Sequence, residues 1–275
     1  MTFTVDKTWL IENLKNEEIV VVDCRFELSN PAMGNKLYLD SHIPGAVYFD
    51  LEKDLSSPVS RHGGRHPLPE INRFKSVIEL AGIDQNKMVI AYDDGSCQFA
   101  SRLWWLLTYT RHEKVSVLNE GFGGWVKAGY PVTKDIPEPI AANHEIHIQE
   151  EMLASYEEVQ EIVVKKKKSP ILIDSRSTDR YLGKTEPIDR IAGHIPGAIN
   201  KFWEEGLNQG SFKNAQEQKT RFSEIDQDES IIVYCGSGVS ATPNYIALKL
   251  AGYRHVKLYA GSYSDWISYE DNPVE

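Results

Sequence analysis

The sequence predicts an α/β protein with two tandem copies of one domain, each a mainly parallel sheet flanked by helices. Short apolar strand patterns alternate along the chain with longer segments of helical periodicity, which is typical of such sheets. Four sequence blocks from the first half recur in the same order in the second half, at offsets of 140 to 152 residues. The length of 275 residues also corresponds to about two domains of ordinary size.

The first two blocks of the repeat predict a strand and a turn near the start of each copy. An apolar strand ending in Asp-x-Arg occupies residues 20–25 and again residues 172–176. The block His-Ile-Pro-Gly-Ala follows at residues 42–46 and 194–198. We expect the Asp-x-Arg pairs to tie the strand ends to nearby loops, and the block histidines to fix turns. The first of these, His42, could instead face a cleft between the copies.

The other two blocks predict two further strands in each copy. Strand patterns at residues 88–92 and 231–234 each precede a glycine-containing loop. Strand patterns at residues 115–118 and 256–258 each precede a glycine and then a tryptophan, which we expect to pack in the core. Ligands of parallel α/β sheets bind beyond the carboxyl ends of the strands. We therefore expect the reactive residues in the loops that follow residues 92 and 234.

Helices and a linker complete the predicted organisation. Helical periodicity covers residues 102–109, 154–165 and 245–251. Residues 133–143 contain two prolines and no periodicity, which indicates an extended linker. The sequence therefore predicts a domain over residues 1–135 and a second over residues 144–275.

Composition and charge restrict the class of partner. Hydrophobic residues make up 41% and charged residues 25% of the chain, as in ordinary soluble proteins. The formal charge of −10 repels nucleic acid and anionic membranes, so we expect neither as a partner. Three cysteines do not form a closed disulfide framework, and residues 1–6 lack the features of a secretory signal. We expect a cytoplasmic location.

Cys235 stands where a parallel sheet places its ligands. It directly follows the strand at residues 231–234, and the loop continues as Gly236, Ser237, Gly238, Val239 and Ser240. Two glycines allow the backbone N–H groups to point inward as an anion nest, and a following helix start favours the thiolate. We expect Ser240 to cap that helix, Pro243 to lie in its first turn and Gly252 to end it.

The equivalent loop of the first copy has a different residue at the decisive position. Asp93 follows its strand where Cys235 follows the other. A carboxylate does not act as a sulfur nucleophile, so we expect the first copy to be chemically silent. The remaining thiols, Cys24 and Cys97, are interpreted as small packed residues.

The surroundings of Cys235 exclude several cysteine chemistries. A phosphotyrosine-type phosphatase needs an arginine six residues after its cysteine to clamp the phosphate, and here that residue is Ala241. A thioredoxin-like site needs a second cysteine at C-x-x-C spacing, which Cys235 lacks. A papain-like hydrolase needs a partner histidine, and His42 and His194 both lie in turn blocks. Covalent carriage of a sulfur atom as a persulfide remains.

These motifs together resemble the tandem rhodaneses, two-domain sulfurtransferases with an inactive first domain and a catalytic second one. The resemblance rests on the Asp-x-Arg pairs, the His-Ile-Pro-Gly-Ala blocks, the loop at residues 235–241 and the turn-rich segment Arg-His-Gly-Gly-Arg-His-Pro-Leu-Pro at residues 61–69. It implies transfer of a sulfane sulfur through a Cys235 persulfide, without metal or organic cofactor. The implied donors are thiosulfate or 3-mercaptopyruvate, and the implied acceptors are cyanide, a small thiol or a thiol protein.

The resemblance also implies the residues that bind the anionic donor. Arg180 matches a substrate-binding arginine of the family, and Arg190 matches a second one three residues beyond a Glu-Pro pair. The family's usual proline before this second arginine is Asp189 here, and that carboxylate could divert the guanidinium. The residues at positions 236–240 are expected to surround the transferred sulfur, with Ser237 donating a hydrogen bond or a proton to the donor.

Two questions stay open at the level of sequence. The Cys-Gly-Ser-Gly-Val loop resembles the 3-mercaptopyruvate branch, yet bacterial tandem enzymes with this loop are commonly assigned to thiosulfate, so the donor is undecided. The alternative to an enzyme is a non-catalytic sulfur-carrier or sensor module that passes its persulfide only to a partner protein. A phosphatase is a distant third interpretation.

Overall fold

A computed structural model describes residues 2–275 of the chain and divides them into two compact units. The first unit contains the described residues up to Ser57, together with Leu68–Gln149 and Gln209–Phe212. The second contains Pro58–Pro67, Glu150–Asn208 and Lys213–Glu275. A short segment near residue 60 therefore folds with the second half of the chain. Within the described residues, none of the helices combines the length and apolar character needed to cross a membrane.

The first unit alternates strands and helices. Its strands are β1 (Thr4–Val5), β2 (Ile19–Asp23), β3 (Val47–Tyr48), β4 (Met88–Tyr92) and β5 (Val115–Leu118). Its helices are α1 (Lys7–Asn13), α2 (Ala32–Asp40), α3 (Ile71–Leu80), α4 (Gln98–Tyr109) and α5 (Gly121–Lys127). The sheet has the order β1-β5-β4-β2-β3, and all of its neighbours are parallel.

The second unit repeats this alternation. Its strands are β6 (Ile171–Asp174), β7 (Ile199–Asn200), β8 (Leu207–Asn208), β10 (Ile231–Tyr234) and β11 (Val256–Leu258). The short strand β9 (Ser211–Phe212) follows β8 along the chain but belongs to the first unit. Its helices are α6 (Tyr156–Val164), α7 (Thr178–Tyr181), α8 (Ala215–Arg221), α9 (Thr242–Ala251) and α10 (Ser262–Trp266), and one-turn 3₁₀ helices lie at Glu150–Met152 and Trp203–Gly206. The sheet has the parallel order β11-β10-β6-β7.

The register of the two sheets places the same residue types opposite each other. Asp23 pairs with Tyr92 at the end of β2 and β4, and Asp174 pairs with Tyr234 at the end of β6 and β10. The central strands β4 and β10 consist of apolar residues, all but Met88 buried, as strands covered on both faces require. The predicted fold of parallel sheets flanked by helices is confirmed.

Tryptophans occupy equivalent places in the two cores. Trp125 and Trp266 are fully buried, and each indole N–H donates to a backbone carbonyl 2.8 Å away, that of Pro131 or Pro273. A buried tryptophan needs such a partner for its polar N–H group. Their predicted role in core packing is confirmed.

The ends of α9 follow the sequence in part. Pro243 lies in its first turn, and Gly252 ends it with a φ of 94°, a conformation that favours glycine. The predicted cap by Ser240 is wrong. Ala241 takes the capping position in a right-handed helical conformation and makes no side-chain cap bond, because the chain already turns into the helix at this residue.

Candidate active site

The loop between β10 and α9 carries the predicted nucleophile and is anchored by α10. Its first five residues are buried and the sixth is half-buried: Cys235, Gly236, Ser237, Gly238, Val239 and Ser240. The carbonyl oxygens of Cys235 and Gly236 accept the backbone N–H groups of Tyr263 and Ser264 at 3.0 and 2.9 Å. The N–H group of Cys235 donates to Ser262 Oγ at 3.1 Å.

The thiol of Cys235 lies in an electropositive position. Its Sγ accepts the backbone N–H group of Gly238 at 3.1 Å, and the loop leads directly into the ten-residue helix α9. Amide N–H groups and a helix amino end both favour negative charge on a nearby sulfur. The residue is 1% exposed, so this charge would be shielded from water. The loop thus provides at least one amide of the predicted nest.

Gly238 is required by the loop geometry. Its φ is 75°, and a Cβ atom at this position would overlap the backbone carbonyl of Ala260. Both facts exclude a side chain, because the left-handed region is strained for other residues and a backbone carbonyl has little freedom to move. The amide that contacts the thiol therefore depends on a glycine.

We expect Gly238→Ala to destabilise the protein by about 3 kcal/mol or more and to slow sulfur loading of Cys235. The matched control is Gly197→Ala, because Gly197 has a similar φ of 79° but no atom within 4 Å of the added methyl group. The free energy of unfolding of that variant should fall by only about 1 kcal/mol, and its Cys235 should take up sulfur as fast as in the wild-type protein. Chemical denaturation and timed intact-mass measurements check both; equal costs for the two variants would contradict the steric argument.

Two arginines lie beside the loop. A Cβ atom placed on Gly236 would be 2.7 Å from Arg65 Nη2 and 3.5 Å from Arg180 Nη2. Burial is the largest influence on Arg65 and lowers the pKa of its guanidinium, while the negative charge of Cys235 is the next influence and raises it. The structure therefore brings Arg180, predicted from the sequence, to the loop at residues 235–240, together with Arg65, which was not predicted as a site residue.

Carboxylates pair with these arginines. Asp189 accepts one hydrogen bond from Arg65 Nη1 and one, at 2.9 Å, from Arg180 Nη2. Glu186 accepts from Arg180 at 2.8 and 3.1 Å and from Arg176 at 3.2 Å. The cations that face the loop are thus held in a network of partly buried ion pairs.

Arg190 is placed differently from Arg180. Its side chain is exposed, and its guanidinium donates to the backbone carbonyl of Ile267. The neighbouring Asp189, suspected of diverting Arg190, instead pairs with Arg65 and Arg180. The structure therefore does not bring Arg190 to the loop through this contact, and its role in donor binding stays a prediction.

Ser237 has a buried histidine as its partner. His66 Nδ1 lies 2.8 Å from Ser237 Oγ, and both residues are less than a tenth exposed. The segment that carries His66 is held on α10 by two backbone N–H groups: that of Gly63 donates to Asp265 at 2.7 Å, and that of Arg65 donates to Ser264 Oγ at 3.1 Å. His66 and Arg65 both lie in the turn-rich segment at residues 61–69, and the basic residues after its glycine pair are the sequence signal for this part of the site.

The Asp-x-Arg pairs and the block histidines are structural. Arg176 forms a two-point ion pair with Asp174 and donates to the carbonyl of Gly193 at 2.7 Å. His194 Nδ1 hydrogen-bonds the carbonyl of Tyr181 at 2.8 Å, and His42 Nδ1 hydrogen-bonds that of Tyr38 at 2.7 Å. The expectation that these residues tie strand ends and turns is confirmed.

Both halves of the chain match one known domain family. The family described as Rhodanese-like domain matches residues 6–128 and again residues 155–269. The chain belongs to the rhodanese family. The second rhodanese-like domain contains Cys235, and the first contains its counterpart, Asp93.

Relatives of the whole chain are named as sulfurtransferases. The chain is 37% identical over 272 residues to the probable 3-mercaptopyruvate sulfurtransferase of Pseudomonas aeruginosa, a match that covers 96% of this chain and 95% of that protein. It is 32% identical over 276 residues to the thiosulfate sulfurtransferase of Rattus norvegicus, covering 95% and 91% of the two chains. The crystal structure of SseA from Escherichia coli, presented as a 3-mercaptopyruvate sulfotransferase, is 31% identical with a TM-score of 0.83 and covers 96% of this chain and 100% of that one.

These matches confirm three of the predictions. They confirm the family, the fold class of two tandem rhodanese-like domains, and the enzyme class, a sulfurtransferase. The alternative of a non-catalytic carrier is not favoured, because the full-length relatives are named as enzymes.

In the first rhodanese-like domain a carboxylate occupies the amide-rich loop. The two oxygens of Asp93 accept hydrogen bonds from four backbone N–H groups, those of Gly95, Cys97, Phe99 and Ala100. Burial, the largest cause, raises the pKa of Asp93 to about 6, although the amide hydrogen bonds act in the opposite direction. In the loop equivalent to that of Cys235, the backbone N–H groups thus bind the carboxylate of Asp93.

The other two thiols are buried among acidic groups. Burial raises the pKa of Cys24 and of Cys97 well above the usual value, and Asp93 raises both further. Cys97 Sγ also donates to the carbonyl of Gly210 at 3.2 Å. These thiols therefore resist forming the thiolate that attacks sulfur. Across residues 2–275, no group of three or more histidine, cysteine or acidic side chains is arranged to hold a metal ion.

Proposed function

We propose that the protein transfers a sulfane sulfur from 3-mercaptopyruvate or thiosulfate to a thiophilic acceptor through a persulfide on Cys235. The acceptor is cyanide, a small thiol or a thiol protein. The observation that carries this proposal is the buried Cys235 thiol, which accepts the Gly238 amide at 3.1 Å at the start of a helix, in a loop whose Gly236 lies beside two arginines. Full-length relatives named for both donors support it.

The sulfur moves in two displacements. The Cys235 thiolate attacks the outer sulfur of the donor and forms a sulfur–sulfur bond, while the bond from that sulfur to the rest of the donor breaks. Thiosulfate releases sulfite, which keeps the electron pair; 3-mercaptopyruvate releases the enolate of pyruvate, which takes up a proton. The acceptor then attacks the outer sulfur of the persulfide and returns the Cys235 thiolate.

Each donor feature has a matching group in the second unit. We assign the donor's negative charge to the guanidinium of Arg180, with Arg65 beside it, because both lie at Gly236. The backbone N–H groups of residues 236–240 are proposed to surround the terminal persulfide sulfur, which carries the negative charge. Arg190 is kept as a second predicted donor-binding residue, to be tested against Arg180.

Ser237 and His66 distinguish the two donors chemically. The pyruvate enolate needs a proton when it leaves, whereas sulfite does not. A hydroxyl held at 2.8 Å by a buried imidazole is suited to deliver that proton. The pair is therefore proposed to serve the carbon–sulfur donor.

The test compares turnover on 3-mercaptopyruvate and thiosulfate at equal concentration, with cyanide as acceptor. We expect steady turnover, and we expect Ser237→Ala to lower kcat for 3-mercaptopyruvate by about 10²-fold but to change thiosulfate turnover several-fold less. Ser240→Ala, which alters a half-buried hydroxyl of the same loop, is the matched control. A single loading of one sulfur per chain with no steady turnover would contradict an enzyme and favour a carrier.

The location and the domain limits are further parts of the proposal. We propose a cytoplasmic location, since a reducing compartment keeps the three thiols free. We also propose that the reaction needs no organic cofactor and no metal. Limits of 1–135 for a chemically silent domain and 144–275 for a catalytic domain remain predictions.

A further inference from the structure

One acidic side chain of the protein already pairs with the two arginines that face the loop at residues 235–240. The carboxylate of Asp189 is 2% exposed and lies between two guanidiniums, with Oδ1 on Arg65 and Oδ2 on Arg180. A Cβ atom on Gly236 would be 3.6 Å from Asp189 Oδ2. An internal carboxylate therefore sits next to the loop, at the two charges that an anionic donor would need.

The charges of this cluster balance. Three arginines face three carboxylates: Arg65, Arg176 and Arg180 with Asp174, Glu186 and Asp189. The cluster therefore offers no net positive charge to an incoming anion while all pairs are made. Removing one carboxylate leaves these six side chains with a charge of +1, which favours binding of an anion beside them.

Asp189 is the carboxylate of the three that is easiest to displace. Asp174 is held at two points by Arg176 at the end of β6, and Glu186 accepts Arg176, Arg180 and the backbone N–H groups of Ile188 and Asp189. Among the residues that the structure describes, the contacts found for the Asp189 carboxylate are those to Arg65 and Arg180. It lies in an irregular segment between two exposed residues, Ile188 and Arg190, so its side chain can turn outward without unfolding a helix or strand.

We propose that Asp189 is an internal competitor for the donor site and sets the affinity for the donor. Its carboxylate occupies Arg65 and Arg180 in the free protein, and the donor's carboxylate or sulfonate displaces it when it binds. Asp189 is in this sense an affinity-determining residue that acts through two arginines. This inference rests on the proposed function, because it takes the donor to bind at these arginines.

The test is anion binding to Asp189→Asn, a variant that keeps the shape of the side chain and removes its charge. It is made in a Cys235→Ser background, so that binding is measured without sulfur transfer. We expect the Kd of thiosulfate, measured by calorimetry, to fall about tenfold, which corresponds to about 1.4 kcal/mol of binding free energy. The Kd of sulfate, an anion that donates no sulfur, should fall by the same factor. In the protein with Cys235 intact, KM for the donor should fall while kcat does not rise.

The control is Asp179→Asn, since Asp179 is an exposed carboxylate on α7 of the same domain, 3.8 Å from Lys184. It removes the same charge from the protein and should change Kd less than twofold. Asp189→Ser is the second variant and should also tighten anion binding, which keeps the test valid if the asparagine variant does not fold. Unchanged or weaker binding in the folded variants, or equal tightening by Asp179→Asn, would overturn the proposal.

The two proposals fail in different ways. If the wild-type protein loads no sulfur from either donor, the proposed function fails, and the sulfate titration still decides whether Asp189 competes for these arginines. If the wild-type protein loads sulfur and both Asp189 variants bind anions as it does, only the competitor proposal fails.

Discussion

A Cys235→Ser variant incubated with thiosulfate or 3-mercaptopyruvate gains no sulfur, whereas the wild-type chain gains the mass of one sulfur atom. Turnover of the variant falls by at least about 10³-fold, to the background, because a hydroxyl is a far weaker sulfur nucleophile than a thiolate. The hydrogen bond from the Gly238 amide and the start of α9 would remain, but they would surround an oxygen that cannot carry sulfane sulfur. Intact-mass spectrometry and cyanide-dependent turnover measure both effects.

The matched controls are the other two thiols of the chain. Cys24 and Cys97 are as deeply buried as Cys235, and burial together with nearby aspartates raises the pKa of each. Cys24→Ser and Cys97→Ser should therefore load one sulfur per chain as the wild-type protein does. A mass gain in Cys235→Ser, or its loss in either control, would show that the persulfide forms on another cysteine.

An Arg180→Ala variant needs more donor for half-saturation, with KM raised by about tenfold to a hundredfold. The estimate follows from the loss of one charge-assisted contact, which is worth about 1.5–3 kcal/mol. The guanidinium lies beside Gly236, so its loss should weaken donor binding more than it changes the reaction of bound donor. Steady-state kinetics with each donor separate the two effects, and a denaturant titration shows whether the loss of its pairs with Glu186 and Asp189 destabilises the fold.

Arg190→Ala is the comparison for this prediction. Both arginines were predicted to bind the donor, yet Arg190 is exposed and donates to the carbonyl of Ile267. The geometry favours a smaller rise of KM for Arg190→Ala than for Arg180→Ala. A larger effect at Arg190, or unchanged donor saturation in Arg180→Ala, would contradict the assignment of the donor's charge to Arg180.

The sequence was most informative where local patterns carry the structure. The apolar runs before Asp93 and Cys235 were predicted as strands and are β4 and β10. The glycines on either side of Ser237 predicted a tight loop, and Gly238 adopts the positive φ that only such a residue tolerates without strain. Helix ends were less certain, because a serine near a helix start predicts a cap without showing where the chain turns. Ser240 therefore proved not to be the cap of α9.

Charged residues were the least predictable part of the site. Arg180 and Arg190 were both assigned by resemblance, but a guanidinium goes to whichever carboxylate or carbonyl packing places within its reach. Packing brings Asp189 to Arg180 and to Arg65, and Ile267 to Arg190. No local pattern around these residues records those partners.

By itself, the sequence determined the two tandem domains, the parallel sheets, and the equivalent positions of Cys235 and Asp93 directly after a strand of each domain. These follow from periodicity, glycine placement and residue type, which act over a few neighbouring residues. Only the tertiary structure decided that His66 meets Ser237 across 171 residues of sequence and that Arg65 meets Asp189 across 124. Such contacts depend on how distant segments pack. The segment Pro58–Pro67 therefore contributes to the candidate site of the second unit, although the rest of that unit begins more than eighty residues later, at Glu150.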